Sequence, residues 1–455
     1  MTKPNGRELA LEALGLILGE SAYASLALDR VLSKAEGAEQ RERAFCTHLV
    51  YGVLRNLYKI DFYLGRLLSR PLKSLKLQVQ NRLRLGIYQL IYLPEIPARA
   101  VCHTAVAEIK QSRYAGLSAL LNGVLRSYLR QHEELKQLLL AERKDLVKFL
   151  SIEYSQPSWL IERWLPRFGT KLTEQILAAN NQAAPLTIRV NILRTEPAVL
   201  REKLVNQGIK VTESHWLAEA LNLSELPSSL EKLTEFQNGE FFVQDESSMW
   251  VAHFLAPQSG ETILDLCAAP GGKSTHLSEL MQDQGRIISL DQYQHKVDLI
   301  AENARRLRIK NLEPTLGDAR FFRLENGLAD AVLVDAPCSG TGVLRRRVDA
   351  RYRKKPAEIL ELAALQREIL NHAATLVRPG GRIVYSTCTL EIEENQQQIK
   401  NFLVTHPEFE AVSYQEYLPK KFPVFEEEPA QPGVTFLPQE NGGDGFFICR
   451  LAHKL

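Results

Sequence analysis

The chain lacks any apolar run approaching the roughly 18 residues of a membrane span, and its first residues, MTKPNGRELALEAL, lack the hydrophobic centre of a signal peptide. A cytoplasmic protein with no membrane partner is expected. Cysteine is sparse. The six residues, at positions 46, 102, 267, 338, 388 and 449, include no C-x-x-C pair and no nearby histidine cluster. That argues against a disulfide framework and gives no sign of a zinc site, so a reduced compartment and no metal are expected. Internal repeats and long low-complexity tracts are also missing. The dinucleotide fingerprint G-x-G-x-x-G is absent. The phosphate-loop pattern is met only in its second half, at Gly272, Lys273 and Ser274, because its first glycine would fall on Cys267.

What is present is enough chain for two or three domains, with 455 residues of which 45% are hydrophobic. The net charge of +2 hides an asymmetry: residues 1–130 carry 19 Lys+Arg against 10 Asp+Glu, whereas residues 131–455 carry 37 against 44. A basic amino-terminal part is an electrostatic reason to expect a polyanion there. Apolar residues in that part recur at helical spacing, as in LALEALGLIL and LRLGIYQLIYL, with Pro94 and Pro97 marking a turn. Its arginines, Arg41, Arg43, Arg55, Arg66, Arg82 and Arg84, serve equally well as a solvated helical surface, so only the aggregate charge argues for RNA. Residues 131–180 continue helical, with Pro157 and Pro166 as expected breaks. A small α+β segment follows, with a strand at APLTIRVN and another near VTESH.

From about Phe241 strand-like runs (TILDLC, RIISLDQ, AVLVDAPC, RIVYSTC) alternate with helical stretches, the pattern of a doubly wound parallel sheet. GDGFFICRL reads as a final strand, paired antiparallel at the edge. Cys338 in VDAPCSG and Cys388 in VYSTCTL, fifty residues apart, each follow such a run and belong at strand C-termini, where open α/β sheets build active sites. A third strand ends in LDLCAAPGGKS, whose small residues let backbone amides approach a ligand ahead of a helix N-terminus. Asp291 ends the next strand, where an acid accepts hydrogen bonds from ribose hydroxyls, and Asp318 follows the one after. Taken singly, each aspartate is as readily a cap or turn residue. Together these features describe a thiol-dependent enzyme with a bound cofactor. Residue chemistry alone leaves open which thiol attacks. The helix expected after Cys388 favours a thiolate, but Glu391, Glu393 and Glu394 oppose it. The run RRRVDARYRKK after Cys338 is a candidate RNA-backbone contact or a solvated loop.

The strings LDLCAAPGGKSTHL, VDAPCSGTGVLRR and VYSTCTLEIEENQQQI, in that order, closely resemble the signatures of RNA cytosine-5 methyltransferases that use S-adenosyl-L-methionine. The basic helical segment resembles the NusB antitermination fold, and the fusion is similar to the Sun/Fmu group of bacterial ribosomal RNA methyltransferases. The resemblance covers most of the chain. It implies a multidomain protein: an all-α NusB-like RNA-binding domain at 1–140, a helical linker and small α+β lead-in at 141–240, and an α/β doubly wound, Rossmann-like methyltransferase domain at 241–455. It implies methylation of carbon 5 of a cytosine in 16S (small-subunit) ribosomal RNA by a cytoplasmic protein, expected to be monomeric. By position, Cys267, Ala268, Ala269, Pro270, Gly271, Gly272 and Lys273 wrap the methionine part of the cofactor. Asp291 holds its ribose and Asp318 its adenine end. Asp335 stands between cofactor and base, Cys388 is the nucleophile, and Cys338 assists release. The competing readings are a methyltransferase acting on transfer RNA and an RNA-binding antitermination or assembly factor whose methyltransferase fold is incidental.

Overall fold

The computed structural model describes residues 5–226, 229–325, 327–427, 431–438 and 443–455, and the chain divides into two compact units. One takes in Met1–Gln182 and Leu344–Arg353, the other Ala183–Val343 and Lys354–Leu455.

The first unit is helical: α1 (Gly6–Gly19), α2 (Ala24–Lys34), α3 (Gln40–Arg55), α4 (Leu57–Leu67), α5 (Leu77–Tyr92), α6 (Ala98–Lys110), α7 (Ser118–Ala141), α8 (Leu146–Tyr154) and α9 (Ser158–Asn181). The periodicity has the usual cause. In α1, Leu9, Ala10, Ala13, Leu14 and Ile17 form one buried stripe, and the Asn5 side chain caps the start by accepting from the Glu8 amide. Pro157 stands just ahead of α9. Pro166, expected to break the helix, lies inside it, and the kink falls instead at Gly169, whose φ of 69° only glycine adopts readily. Arg84 is buried and donates to both oxygens of Asp61 at 2.8 Å, and Arg66 pairs with Glu142, so these two cations serve the fold.

The cationic run after Cys338 also belongs largely to this unit. Arg345, Val348, Asp349 and Arg351 are buried, Arg351 donates to Asn181 Oδ1 at 2.7 Å and to the Asn180 carbonyl at 2.9 Å, and the Tyr352 hydroxyl donates to the Leu54 carbonyl. The expectation of an RNA-backbone contact therefore fails for Arg345 and Arg351. Both side chains are buried, and Arg351 is held by residues of the helical unit.

The second unit carries two sheets. Strands β1 (Leu186–Val190), β2 (Lys210–Glu213), β3 (Ala220–Ser224) and β4 (Phe241–Val243) form an antiparallel sheet in the order β2-β3-β1-β4, accompanied by α10 (Pro197–Asn206) and α11 (Thr234–Gln237). After α12 (Glu246–Leu255) come β5 (Thr262–Asp265), α13 (Gly272–Leu280), β6 (Arg286–Asp291), α14 (Gln294–Leu307), β7 (Leu312–Leu316), β8 (Ala329–Asp335), α15 (Pro356–Ala374), β9 (Val377–Thr387), α16 (Gln396–Thr405), β10 (Phe409–Ala411), β11 (Val434–Phe436) and β12 (Phe446–His453).

The large sheet runs β10-β12-β9-β8-β5-β6-β7, parallel from β9 to β7, with β11 paired to β12. Alternate residues enter opposite cores, Leu264, Val332, Val334 and Ile383 on one face and Ile263, Ala331, Leu333 and Val384 on the other. Burial of both faces is why these strands read as continuous apolar runs. β12 is antiparallel to β9 as expected but is not the edge, because β10 lies outside it.

Candidate active site

The strand order reverses between β5 and β8, and a crevice at such a switch point, beyond the strand C-termini, is where open α/β sheets bind ligands. Every candidate site residue named from sequence lies at this edge. The loop after β5 is held by the Ala268 amide donating to the Leu290 carbonyl (2.9 Å) and the Gly271 amide to the Ala268 carbonyl (2.7 Å). Asn303 of α14 donates to the Pro270 carbonyl at 3.0 Å. Gly271 has a φ of 97°, and a Cβ on Gly272 would lie 2.9 Å from the Phe242 ring, so both positions need glycine. Asp265 is fully buried at the end of β5. One carboxylate oxygen accepts from Ser274 at 2.6 Å, and the other has no partner among the described residues.

Asp291, at the end of β6, accepts from the Tyr293 amide at 3.2 Å and lies 3.6 Å from Lys296. Asp318 is already engaged: Arg320 donates to it through Nε (3.0 Å) and a terminal nitrogen (2.6 Å). That hydrogen bonding, with burial opposing it, holds the Asp318 carboxyl below its usual range. The unpartnered oxygen of Asp265, the glycine turn and the N-terminus of α13 fit a small cofactor carrying a carboxylate and hydroxyls.

The end of β8 holds a second constellation. Asp335 accepts from Lys273 Nζ at 2.6 Å on one oxygen and from the Ser386 hydroxyl at 2.8 Å on the other. Burial works against the Lys273 ammonium, but the charge and hydrogen bond of Asp335, helped by Cys388, raise its pKa above the ordinary value. Cys338 and Cys388, one residue or a few past the ends of adjacent parallel strands, place their sulfurs 3.3 Å apart. The hydrogen bond with Cys388, then burial, pushes the Cys338 thiol well above its usual range. Cys267 is raised as well, by burial and by Asp265, Asp335 and Asp291 around it.

Sequence reasoning missed what holds the thiols in register. Glu394 accepts from the Ser339 amide (2.9 Å), the Ser339 hydroxyl and Gln366 Nε2 (2.9 Å). Thr341 joins Thr389 (2.9 Å) and Glu391 (3.1 Å), and the Gly342 amide donates to the Cys388 carbonyl at 3.0 Å. The acids after Cys388 thus brace the Cys338 loop. No helix starts at Cys388: a single 3-10 turn at Ile392–Glu394 intervenes before α16. The helix dipole weighed against Glu391, Glu393 and Glu394 therefore does not act at Cys388, while Lys273 and Cys388 interact electrostatically. Also missed was Arg189 on β1, which donates to the Gly272 carbonyl (2.6 Å), Thr275 (2.9 Å), Gln244 and both oxygens of Glu279 (2.8 and 3.1 Å). An isolated arginine in a strand gives no sequence signal for such a role.

A parallel sheet with one antiparallel strand inserted beside β9, a glycine turn after its central strand and acids ending the neighbouring strands defines a Rossmann-like methyltransferase. Residues 252–452 match the family model of the 16S rRNA methyltransferase RsmB/F, residues 4–130 the NusB family, and residues 156–228 the ferredoxin-like domain of RsmF/B-like methyltransferases. The chain is 40% identical to the probable ribosomal RNA small subunit methyltransferase B of Bacillus subtilis, covering all of both chains. It is 34% identical to the ribosomal RNA small subunit methyltransferase B of Klebsiella pneumoniae, over 99% of each. Among solved structures, the protein PH0851 superposes with a TM-score of 0.79 at 27% identity, over 99% of each chain. The chain belongs to the RsmB/F family of 16S rRNA methyltransferases, fused to a NusB-type domain, and is an enzyme.

Proposed function

We propose that the enzyme transfers a methyl group from S-adenosyl-L-methionine to carbon 5 of a cytosine in small-subunit ribosomal RNA through a covalent adduct on Cys388. The observation that carries this is the pair of sulfurs at 3.3 Å beside the Lys273–Asp335 pair. Residues Cys267 to Lys273 and Asp291 hold the cofactor, with Asp318 at its adenine end; when bound, the cofactor supplies an electrophilic sulfonium methyl. Carbon 5 of an aromatic cytosine is a poor nucleophile. Addition of the Cys388 thiolate to carbon 6 makes carbon 5 enamine-like, dividing one hard step into easier ones. Lys273 favours the thiolate electrostatically. Asp335, fixed by Lys273 and Ser386, shares a proton with ring nitrogen 3, which takes it up as the adduct forms. Loss of the carbon 5 proton, with Cys338 as base or relay, then expels Cys388. The target base is reached in a loop or by flipping from its stack.

We assign RNA placement to residues 1–140, a lead-in role to 141–240 and chemistry to 241–455, in a cytoplasmic monomer. The test combines RNA from a strain lacking the enzyme, labelled methyl donor, and bisulfite mapping of the product. New 5-methylcytosine in small-subunit rRNA is expected. Cys388→Ala should abolish both methylation and covalent RNA attachment, whereas Cys338→Ala should accumulate a denaturation-resistant protein–RNA complex that depends on the methyl donor. Accumulation with Cys388→Ala in its place would reverse the two roles, and modification confined to transfer RNA would overturn the substrate.

A further inference from the structure

Away from the strand-end crevice, three metal-ligating side chains from three separate elements converge inside the second unit. Glu219 sits in the turn ahead of β3, His253 on α12 and His276 on α13. One ligand atom from each lies within 4.8 Å of the others. His253 Nε2 is 2.6 Å and His276 Nε2 3.5 Å from the same carboxylate oxygen of Glu219. The two imidazoles stand nearly perpendicular, 82° apart, with centroids separated by 5.4 Å. An ion pair between Glu219 and His253 accounts for two of the three groups. It does not account for His276.

The His276 ring is 1% exposed, and neither of its nitrogens has a hydrogen-bond partner among the described residues. A buried ring with both nitrogens unserved is uncommon, because desolvating a polar group without a partner is costly. Its Nε2 faces the same Glu219 oxygen that His253 reaches, so both rings and the carboxylate point at one spot. Imidazole nitrogens and carboxylate oxygens are common metal donors. Two nitrogens and one oxygen suit zinc and its neighbours in the first transition row, whereas calcium and magnesium prefer all-oxygen shells. His253 is the partly exposed ligand, at 29%, and is the one through which an ion would reach the cluster.

We propose that Glu219, His253 and His276 form a binding site for a divalent first-row transition metal, zinc being the representative ion. Such an ion pins the turn ahead of β3 to α12 and α13, and so braces the small antiparallel sheet against the helix that starts where the proposed cofactor loop ends. Sequence spacing hides the site, since its ligands are 34 and 23 residues apart and contain no cysteine.

The test uses the full-length protein, stripped of metal and titrated with Zn2+ by calorimetry and with Co2+ by absorption. The expected result is one equivalent bound, with visible bands of four-coordinate Co2+ and no thiolate-to-cobalt charge transfer. His253→Gln, at the partly exposed ligand, should fold normally by circular dichroism. It should lose more affinity than the roughly 10–100-fold that outer-shell changes cost. Glu219→Gln should do the same. Equal binding by wild type and His253→Gln, a thiolate charge-transfer band pointing to Cys338 or Cys388, or no binding at all would each overturn the site.

Discussion

Asp265 shows how one residue of the crevice couples chemistry to stability. It ends β5 out of contact with water, and burial, aggravated by Asp335 and opposed by the Ser274 hydrogen bond, pushes its carboxyl up to about 7. An unfolded aspartate titrates near 4. Between those values the folded chain keeps a proton that the unfolded chain releases, so this contribution is fully present below about pH 4 and is lost as pH rises through 7. The loss amounts to at most ~4 kcal/mol. Asp265→Asn retains an acceptor for Ser274 and removes the titration. Urea midpoints followed from about pH 5 to about pH 8 should therefore fall less steeply in the variant than in wild type. Equal slopes would show that Asp265 is already ionised in the fold.

At the scale of elements, α13 is the piece on which the crevice depends, because it starts at Gly272, where the glycine turn after β5, the proposed cofactor loop, ends. Its hold on β1 is a buried ion pair: the Arg189 and Glu279 side chains are 0% and 1% exposed and meet at 2.8 Å. Burial, offset by Arg189, leaves the Glu279 carboxyl raised to about 6. Removing one partner strands the other in a desolvated site, which typically costs about 3–5 kcal/mol, while replacing both by apolar groups is far milder. Arg189→Met should lower the urea midpoint strongly, and the double change Arg189→Met with Glu279→Leu should recover most of it. A double variant as unstable as the single would show that the donations to Gly272 and Thr275, and not the ion pair, carry the clamp.

The strands and the turn around this clamp were legible in the sequence because each has a local cause: apolar runs buried on both faces, glycines at a tight approach to Phe242, acids at strand ends. Arg189, Glu394 and the Glu219–His253–His276 cluster were not, since each acquires its role only when distant segments meet. Pro166 misled for a related reason. Pro166 is the ninth residue of α9, and the non-helical backbone comes three residues after it, at Gly169, the position that can adopt the positive φ.

Across the whole molecule the charge asymmetry is the feature that sequence and structure read together. The surplus of Lys+Arg in residues 1–130 was visible by counting; which cations are free to meet a phosphate was not. Arg84 is spent on Asp61, and Arg66 on Glu142. Lys73, in a short 3-10 turn between α4 and α5, and Lys76, just ahead of α5, are exposed and appear in no ion pair among the described residues. Each phosphate neutralised releases counterions, so log affinity falls with log salt by about 0.7–0.9 per contact. Neutralising both lysines in Lys73→Gln/Lys76→Gln should weaken RNA binding at low salt and flatten the salt dependence by about 1–2 units of slope. The methylation rate at saturating RNA should stay the same, because neither residue approaches the thiols in sequence or lies in the catalytic unit. Filter binding across a salt series measures the slope, and an unchanged slope would move the RNA-facing surface away from this turn.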